Sequence, residues 1–260
     1  MAKVITISNL KGGVGKSVTA ANLAIGLARN GRKVLSIDAD AQHSLTISLG
    51  IKQPDSLHVT LASIMSNIIT GTDFDPSDGI IHHKEGIDLM PANLMLSGAE
   101  LSLVQVIGRE TVLRQYIDMV QTSYDYIIVD TSPSLGQLTL NALAAADLVI
   151  VPVVPKFLDA KGMELLLRTI AQIKKKINPR LEIGGILLTM VDMRANFTKE
   201  TIDEIENAYG GKIRIFSEYI PRSVRAAETG ATGMSIYAYD PRGKVAAAYE
   251  TLTKGVLEIA

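Results

Sequence analysis

The 260-residue chain has no cysteine and no tryptophan, and aromatic residues make up only 5% of it. Without cysteine there is no disulfide scaffold, thiolate zinc site, thiol nucleophile or cysteine-ligated iron–sulfur cluster, and the composition suits a reducing cytosol. Neither sign of charge prevails: 26 Lys and Arg stand against 27 Asp and Glu, so the overall balance gives no hint of a nucleic-acid partner. Long apolar runs are also missing. The longest, around residues 148–154, falls far short of the roughly 20 residues that a membrane span requires. The apolar run after Lys3 breaks at Asn9 and the glycines, which leaves no secretory signal. The expectation is a soluble, cytoplasmic protein without a membrane partner.

Hydrophobic residues supply 47% of the chain, enough for a sizeable core. Short β-branched runs at residues 4–8, 34–38, 87–90, 126–130, 148–153, 183–189 and 213–220 alternate with helical patterns at 17–30, 101–121, 138–146, 160–177, 199–209 and 244–259. Near-continuous apolar strands separated by helices predict an α/β fold, a mostly parallel twisted sheet with helices on both faces. No repeat or low-complexity linker interrupts the chain, so residues 1–260 read as a single domain. Residues 70–86 are the most polar and least periodic. They hold Asp73, Asp75, Asp78, His82 and His83, whose spacing matches no metal-ligand pattern, and read as a surface loop.

The segment Lys11-Gly12-Gly13-Val14-Gly15-Lys16-Ser17-Val18 follows the first strand and opens the first helix. Glycines there let backbone N–H groups curl around an anion, and the helix N-terminus adds its positive dipole. Lys16 is placed to reach β- and γ-phosphates, and Ser17 to offer a hydroxyl to Mg²⁺. The expected ligand is therefore a nucleotide with magnesium. Leu10 stands where the ordinary phosphate-loop pattern has its first glycine, and a second lysine, Lys11, precedes the glycine pair.

That lysine-bearing variant resembles the deviant Walker A ATPases, a superfamily that includes ParA/Soj partition proteins, MinD and the nitrogenase iron protein. The resemblance implies an ATP-dependent sandwich homodimer in which Lys11 reaches the partner's phosphates. Asp38-Ala39-Asp40-Ala41-Gln42 is similar to the family's D-x-D-P-Q, with Ala41 in place of the proline that would fix φ. By that resemblance Asp40 orients or activates the attacking water and belongs to the metal site, while Asp38 supports Lys16 or the metal shell. Asp130, ending the run Tyr126-Ile127-Ile128-Val129, is the expected Walker B carboxylate for Mg²⁺.

The ParA/Soj branch is the better match along the chain. Leu188-Thr189-Met190-Val191-Asp192-Met193-Arg194 resembles its L-T-M-x-D-x-R, and Ile220-Pro221-Arg222-Ser223-Val224-Arg225 its I-P-R-x-V-R; Tyr239-Asp240-Pro241-Arg242-Gly243 follows. The resemblance places Met190 and Pro221 near adenine. It also assigns Arg194 and Arg225, with Arg222 as neighbour, to non-specific double-stranded DNA, and implies a ParB-like centromere-binding partner that stimulates hydrolysis at the nucleoid. The alternative for the arginines is ion pairing of Arg222 and Arg225 with Glu218 or Glu228. Residues 1–155 carry 10 basic and 14 acidic side chains and 156–260 carry 16 and 13, so the proposed DNA face lies in the basic half.

Rival readings are weaker. Missing cysteines exclude an iron-protein cluster. A MinD-like membrane ATPase needs a basic amphipathic terminal helix, whereas Val245, Ala248, Tyr249, Leu252, Val256 and Ile259 with Lys254 read as a helix packed on the core. A first strand at residue 3 or 4 leaves no room for an N-terminal helix-turn-helix. An ATPase that positions a protein cargo would use the same site chemistry, and a phosphate-loop kinase or synthetase lacks a recognisable acceptor site.

Overall fold

The computed structural model describes residues 1–156 and 160–260. Seven strands, β1 (Lys3–Ile7), β2 (Val34–Ala39), β3 (Ile81–His82), β4 (Asp88–Met90), β5 (Tyr126–Thr131), β6 (Leu148–Val153) and β7 (Glu182–Leu188), form one sheet in the order β3-β4-β2-β5-β1-β6-β7. Every neighbouring pair is parallel except β3 with β4. The expected α/β fold with a mostly parallel sheet is what the chain adopts.

Alternate residues of each central strand enter opposite layers, because successive side chains of a strand point to opposite faces. Ile5, Ile7, Ile128 and Ile150 join one core with α1 (Lys16–Arg29) and α11 (Lys244–Ile259). Leu35, Ile37, Ile127 and Val129 pack on the other face, against α3 (Leu61–Thr70), α4 (Met95–Leu103) and α5 (Val112–Val120). Val149, Val151, Ile186 and Leu188 extend that face beneath α7 (Ala160–Lys176) and α8 (Asn196–Tyr209). Short α2 (Ser44–Ser48), α6 (Gln137–Ala145), α9 (Val224–Thr232) and α10 (Ile236–Tyr239) complete the fold. The helix read over 244–259 is α11; its Val245, Ala248, Tyr249, Leu252 and Val256 are buried.

Gly26 of α1 lies close against Thr253 of α11 and Tyr237 of α10. A Cβ there would lie 2.3 Å from Thr253 Oγ1 and 2.7 Å from Tyr237 Oη. One turn or two earlier, Thr19 Oγ1 and Tyr249 Oη are 3.2 Å apart, joining residues 230 positions distant in sequence.

Three sequence expectations differ from the structure. The helix expected over 101–121 is two helices, α4 and α5, because Gly108 takes a left-handed φ of 72° that the helical ladder cannot include. Residues 213–220 form no strand. Within them Ile215 makes an isolated bridge to Ile186 of β7, and Pro221, just after them, bridges Val191. Residues 70–86, expected as loop throughout, contain the two-residue edge strand β3. Among the described residues no helix is long and apolar enough to cross a membrane.

Candidate nucleotide site

The glycine segment lies between β1 and α1, at the carboxyl end of the central strand, where parallel α/β sheets place their ligand clefts. Gly13 and Gly15 have φ of 70° and 83°, values at which a side chain is strained. Gly15 precedes α1, and no side chain caps its first turn, so the N–H groups there remain available to an anion. Three anchors hold the loop. Asn9 donates Nδ2–H to Pro152 O (2.7 Å) and accepts Lys11 N–H at Oδ1 (3.0 Å). Thr189 donates its hydroxyl to Val14 O at 2.8 Å. Lys16 donates Nζ–H to Lys11 O at 3.3 Å.

Pairing of β5 with both β1 and β2 sets Asp130 opposite Ile7 and opposite Asp38. Both acids are fully buried. Neither oxygen of Asp130 meets hydrogen-bond geometry with any described partner. Burial pushes its carboxyl well above the usual carboxylate range, and Asp38 alongside adds to the rise; the nearby Ser17 hydroxyl and the Lys16 ammonium pull back only in part. Burial lowers Lys16, opposed by Asp130 and Asp40. Lys16, Ser17, Asp40 and Asp130 therefore form one electrostatic cluster at the mouth of the glycine loop. An unsatisfied buried carboxylate beside a hydroxyl and a lysine fits a hard divalent cation, which takes oxygen ligands.

Asp38 faces elsewhere. Thr46 donates both its N–H (2.8 Å) and its hydroxyl (2.7 Å) to Asp38 Oδ2, and Asp40 N–H donates to Oδ1 at 3.2 Å. Of the two roles expected for Asp38, support of Lys16 or of the metal shell, its hydrogen bonds make neither; they hold Thr46 and the chain around Asp40. Burial raises the Asp38 carboxyl in spite of these bonds. The turn after Asp40 closes without a proline: Gln42 N–H donates to Asp40 Oδ1 at 2.9 Å, and His43 N–H to Asp40 O at 2.8 Å.

A cleft of about 830 Å³ is lined by Gly12, Gly13, Gly15, Lys16, Ser17 and Val18, by Asp40, Ala41 and Gln42, and by Met190. Val14 is buried beneath the loop. The far walls come from residues that motif reading missed: Ile47 of α2, Glu100 of α4, and Ala227 and Gly230 of α9. Ala227 and Gly230, small residues on one helix face, are the part of this wall that a sequence pattern could have signalled. Pro221 does not share this cleft with Met190. It lines a neighbouring cavity of about 770 Å³ together with Arg194 and Arg222.

The arginines are exposed and mostly paired. Arg194 grips Asp192 with Nε and Nη2, both at 2.9 Å, and this holds the Asp192 carboxyl down to about 2. Arg225 pairs with Asp240 at 2.7 Å, not with Glu218 or Glu228; Glu228 accepts the Tyr239 hydroxyl instead.

A glycine loop between the central strand and the first helix, with a buried acid on the adjacent strand, defines a phosphate-loop nucleoside triphosphatase fold. A model of the AAA domain family matches residues 2–183. The chain is 40% identical to the sporulation initiation inhibitor protein Soj of Bacillus subtilis, with 98% of each chain covered. It is 38% identical to the chromosome partitioning protein ParA of Myxococcus xanthus, covering 99% of this chain and 89% of that one. Among solved structures it resembles cobyrinic acid a,c-diamide synthase from Mycobacterium smegmatis with bound ADP and magnesium (TM-score 0.86, 33% identity, 99% and 95% covered). It also resembles a plasmid partition protein of Borrelia burgdorferi B31 bound to AMPPNP (TM-score 0.80, 26% identity, 100% of both chains). The chain belongs to the ParA/Soj family of partition ATPases.

Proposed function

We propose that residues 1–260 act as one ATP- and Mg²⁺-dependent partition switch. The observation that carries this reading is the buried, unpartnered Asp130 carboxylate beside Lys16 and Ser17. Ser17 and Asp130, with Asp40 close by, are the residues to hold Mg²⁺, which when bound neutralises charge on the transferring phosphoryl group. Gly12, Gly13, Val14, Gly15 and Val18 supply main-chain N–H groups, Lys16 binds the β- and γ-phosphates, and Asp40 orients the attacking water. Lys11 acts on the phosphates of a second copy, so that dimer closure senses the γ-phosphate. Met190 and Pro221 border the base, from two adjoining cavities.

The closed dimer binds duplex DNA without sequence preference through Arg194, Arg222 and Arg225, a local cationic face being sufficient for phosphate neutralisation. A ParB-like centromere-binding protein stimulates hydrolysis and releases the DNA. A synthase reading, suggested by the M. smegmatis neighbour, calls for a site for a carboxylate acceptor; among the described residues lining the cleft, Lys16 is the only cation, and the phosphates occupy it.

The test is Asp40→Ala. The variant is expected to bind ATP, to lose hydrolysis, and to accumulate as a DNA-bound dimer. Hydrolysis at the parent rate overturns the assignment. If DNA plus a ParB-like partner leaves the parent rate unchanged while a protein cargo raises it, the chain is a cargo-positioning ATPase instead.

A further inference from the structure

Strand register alone does not distinguish Asp38 from Asp130. They face each other across β2 and β5, both fully buried at the same end of the sheet. What separates them is Thr46, in α2. Its N–H and hydroxyl both go to Asp38 Oδ2, at 2.8 and 2.7 Å. Its hydroxyl oxygen in turn accepts Ala92 N–H at 3.0 Å, and Thr46 is itself fully buried. A hydroxyl has one proton to give, and the Ala92 contact leaves that proton committed to Asp38.

The second oxygen of Asp38 carries the effect onward. It accepts Asp40 N–H at 3.2 Å, and Asp40 Oδ1 then accepts Gln42 N–H at 2.9 Å. A continuous line of hydrogen bonds therefore runs from Ala92 through Thr46 and Asp38 to the turn that presents Asp40 to the cleft. Ala41 occupies the turn position at which proline would have fixed φ, so these bonds, together with His43 N–H to Asp40 O, define it.

We propose that Thr46 is a positioning residue for ATP hydrolysis: by capturing Asp38 it aims Asp40 at the water and leaves Asp130 as the acid open to the metal. This rests on the reading of Asp40 given above. Turning Asp38 toward Lys16 would break three buried hydrogen bonds, so the two neighbouring acids keep separate tasks.

Thr46→Val removes the hydroxyl at nearly constant volume, and Thr46→Ser keeps it. With the full-length protein, Mg²⁺ and ATP, Thr46→Val is expected to lower kcat roughly 10- to 100-fold, the scale of a misplacement of about 1 Å. KM and ATP affinity should stay within about twofold of the parent, and Thr46→Ser should restore most of kcat. A parent-like kcat in Thr46→Val, an equal fall in Thr46→Ser, or a KM that rises in step with the loss overturns the proposal. Where Thr46→Val does not fold, Thr46→Cys, with only a weak S–H donor, is judged by the same outcomes. Asp40→Ala separates the two levels: if it hydrolyses at the parent rate, the reading of Asp40 falls; if it is inactive while Thr46→Val is not, only the role of Thr46 falls.

Discussion

The phosphate end of the molecule and its arginine face handle charge in opposite ways. At the phosphate end Lys16, Asp38 and Asp130 are buried, and Asp130 has no hydrogen-bond partner among the described residues. On the arginine face the Arg194 and Arg225 side chains are 91% and 64% exposed, yet each already holds a carboxylate. A buried charge without a partner costs several kcal/mol, so the first region is completed by what it binds. An exposed ion pair contributes little to stability, so under the proposed reading the second would exchange an aspartate for a DNA phosphate at little cost. The first region is left incomplete in the protein alone, while the second already holds replaceable partners.

Asp130→Asn tests the first half and carries the largest expected effect. Replacing the buried acid by a neutral amide should stabilise the nucleotide-free protein by about 1–3 kcal/mol, read as a raised Tm. Mg²⁺-dependent hydrolysis should fall on the order of a hundredfold or more. An unchanged or lowered Tm would show that Asp130 is not held at a cost in the empty protein. Next comes Arg225→Glu, which reverses one charge per protomer on the exposed face. Affinity for random-sequence duplex is expected to drop about tenfold at low salt with a shallower salt slope, while ATPase activity stays at the parent level. Affinity unchanged across a salt titration removes Arg225 from the DNA face. The smallest effect belongs to Asp240→Asn, which frees Arg225 from its ion pair. Filter-binding or anisotropy titrations should show roughly two- to threefold tighter DNA binding at low salt, vanishing near 1 M where charges are screened within about 3 Å. Weaker binding in that variant would mean that Asp240 orients the arginine and does not compete for it.

Much of the phosphate end was legible because its chemistry depends on short-range order. The glycine spacing, Lys16, Ser17 and the strand ending in Asp130 are contiguous in sequence, and strand pairing then brings the pieces together. The partner that Asp38 has in the fold was not legible, because Thr46, eight residues on, reaches it only once α2 has formed. The broken helix at Gly108 shows a different limit: an apolar period of 3.6 continues across a residue whose backbone leaves the helical region. Residues 213–220 carry a strand's apolar pattern. Phe216 and Ile220 do pair with Ile186 and Leu188, but Ser217 and Glu218 between them are exposed, and the ladder never becomes continuous. The arginine face was legible as motifs, while its ion pairs were not, since Asp240 reaches Arg225 across 15 residues by the packing of α10 against α9.

The missing side chain at Gly26 gives the assembly of the protein an order in time. The helix that ends the phosphate loop is seated on α11, against Thr253 and Tyr249, and these are made on the ribosome long after the loop itself has emerged. A nascent chain exposes its glycine loop early but has no platform for the helix behind it until residues 249–253 have also been made. The loop that cradles the anion and the surface that supports its helix thus come from parts of the chain some 230 positions apart, and neither stands complete before the other has been made.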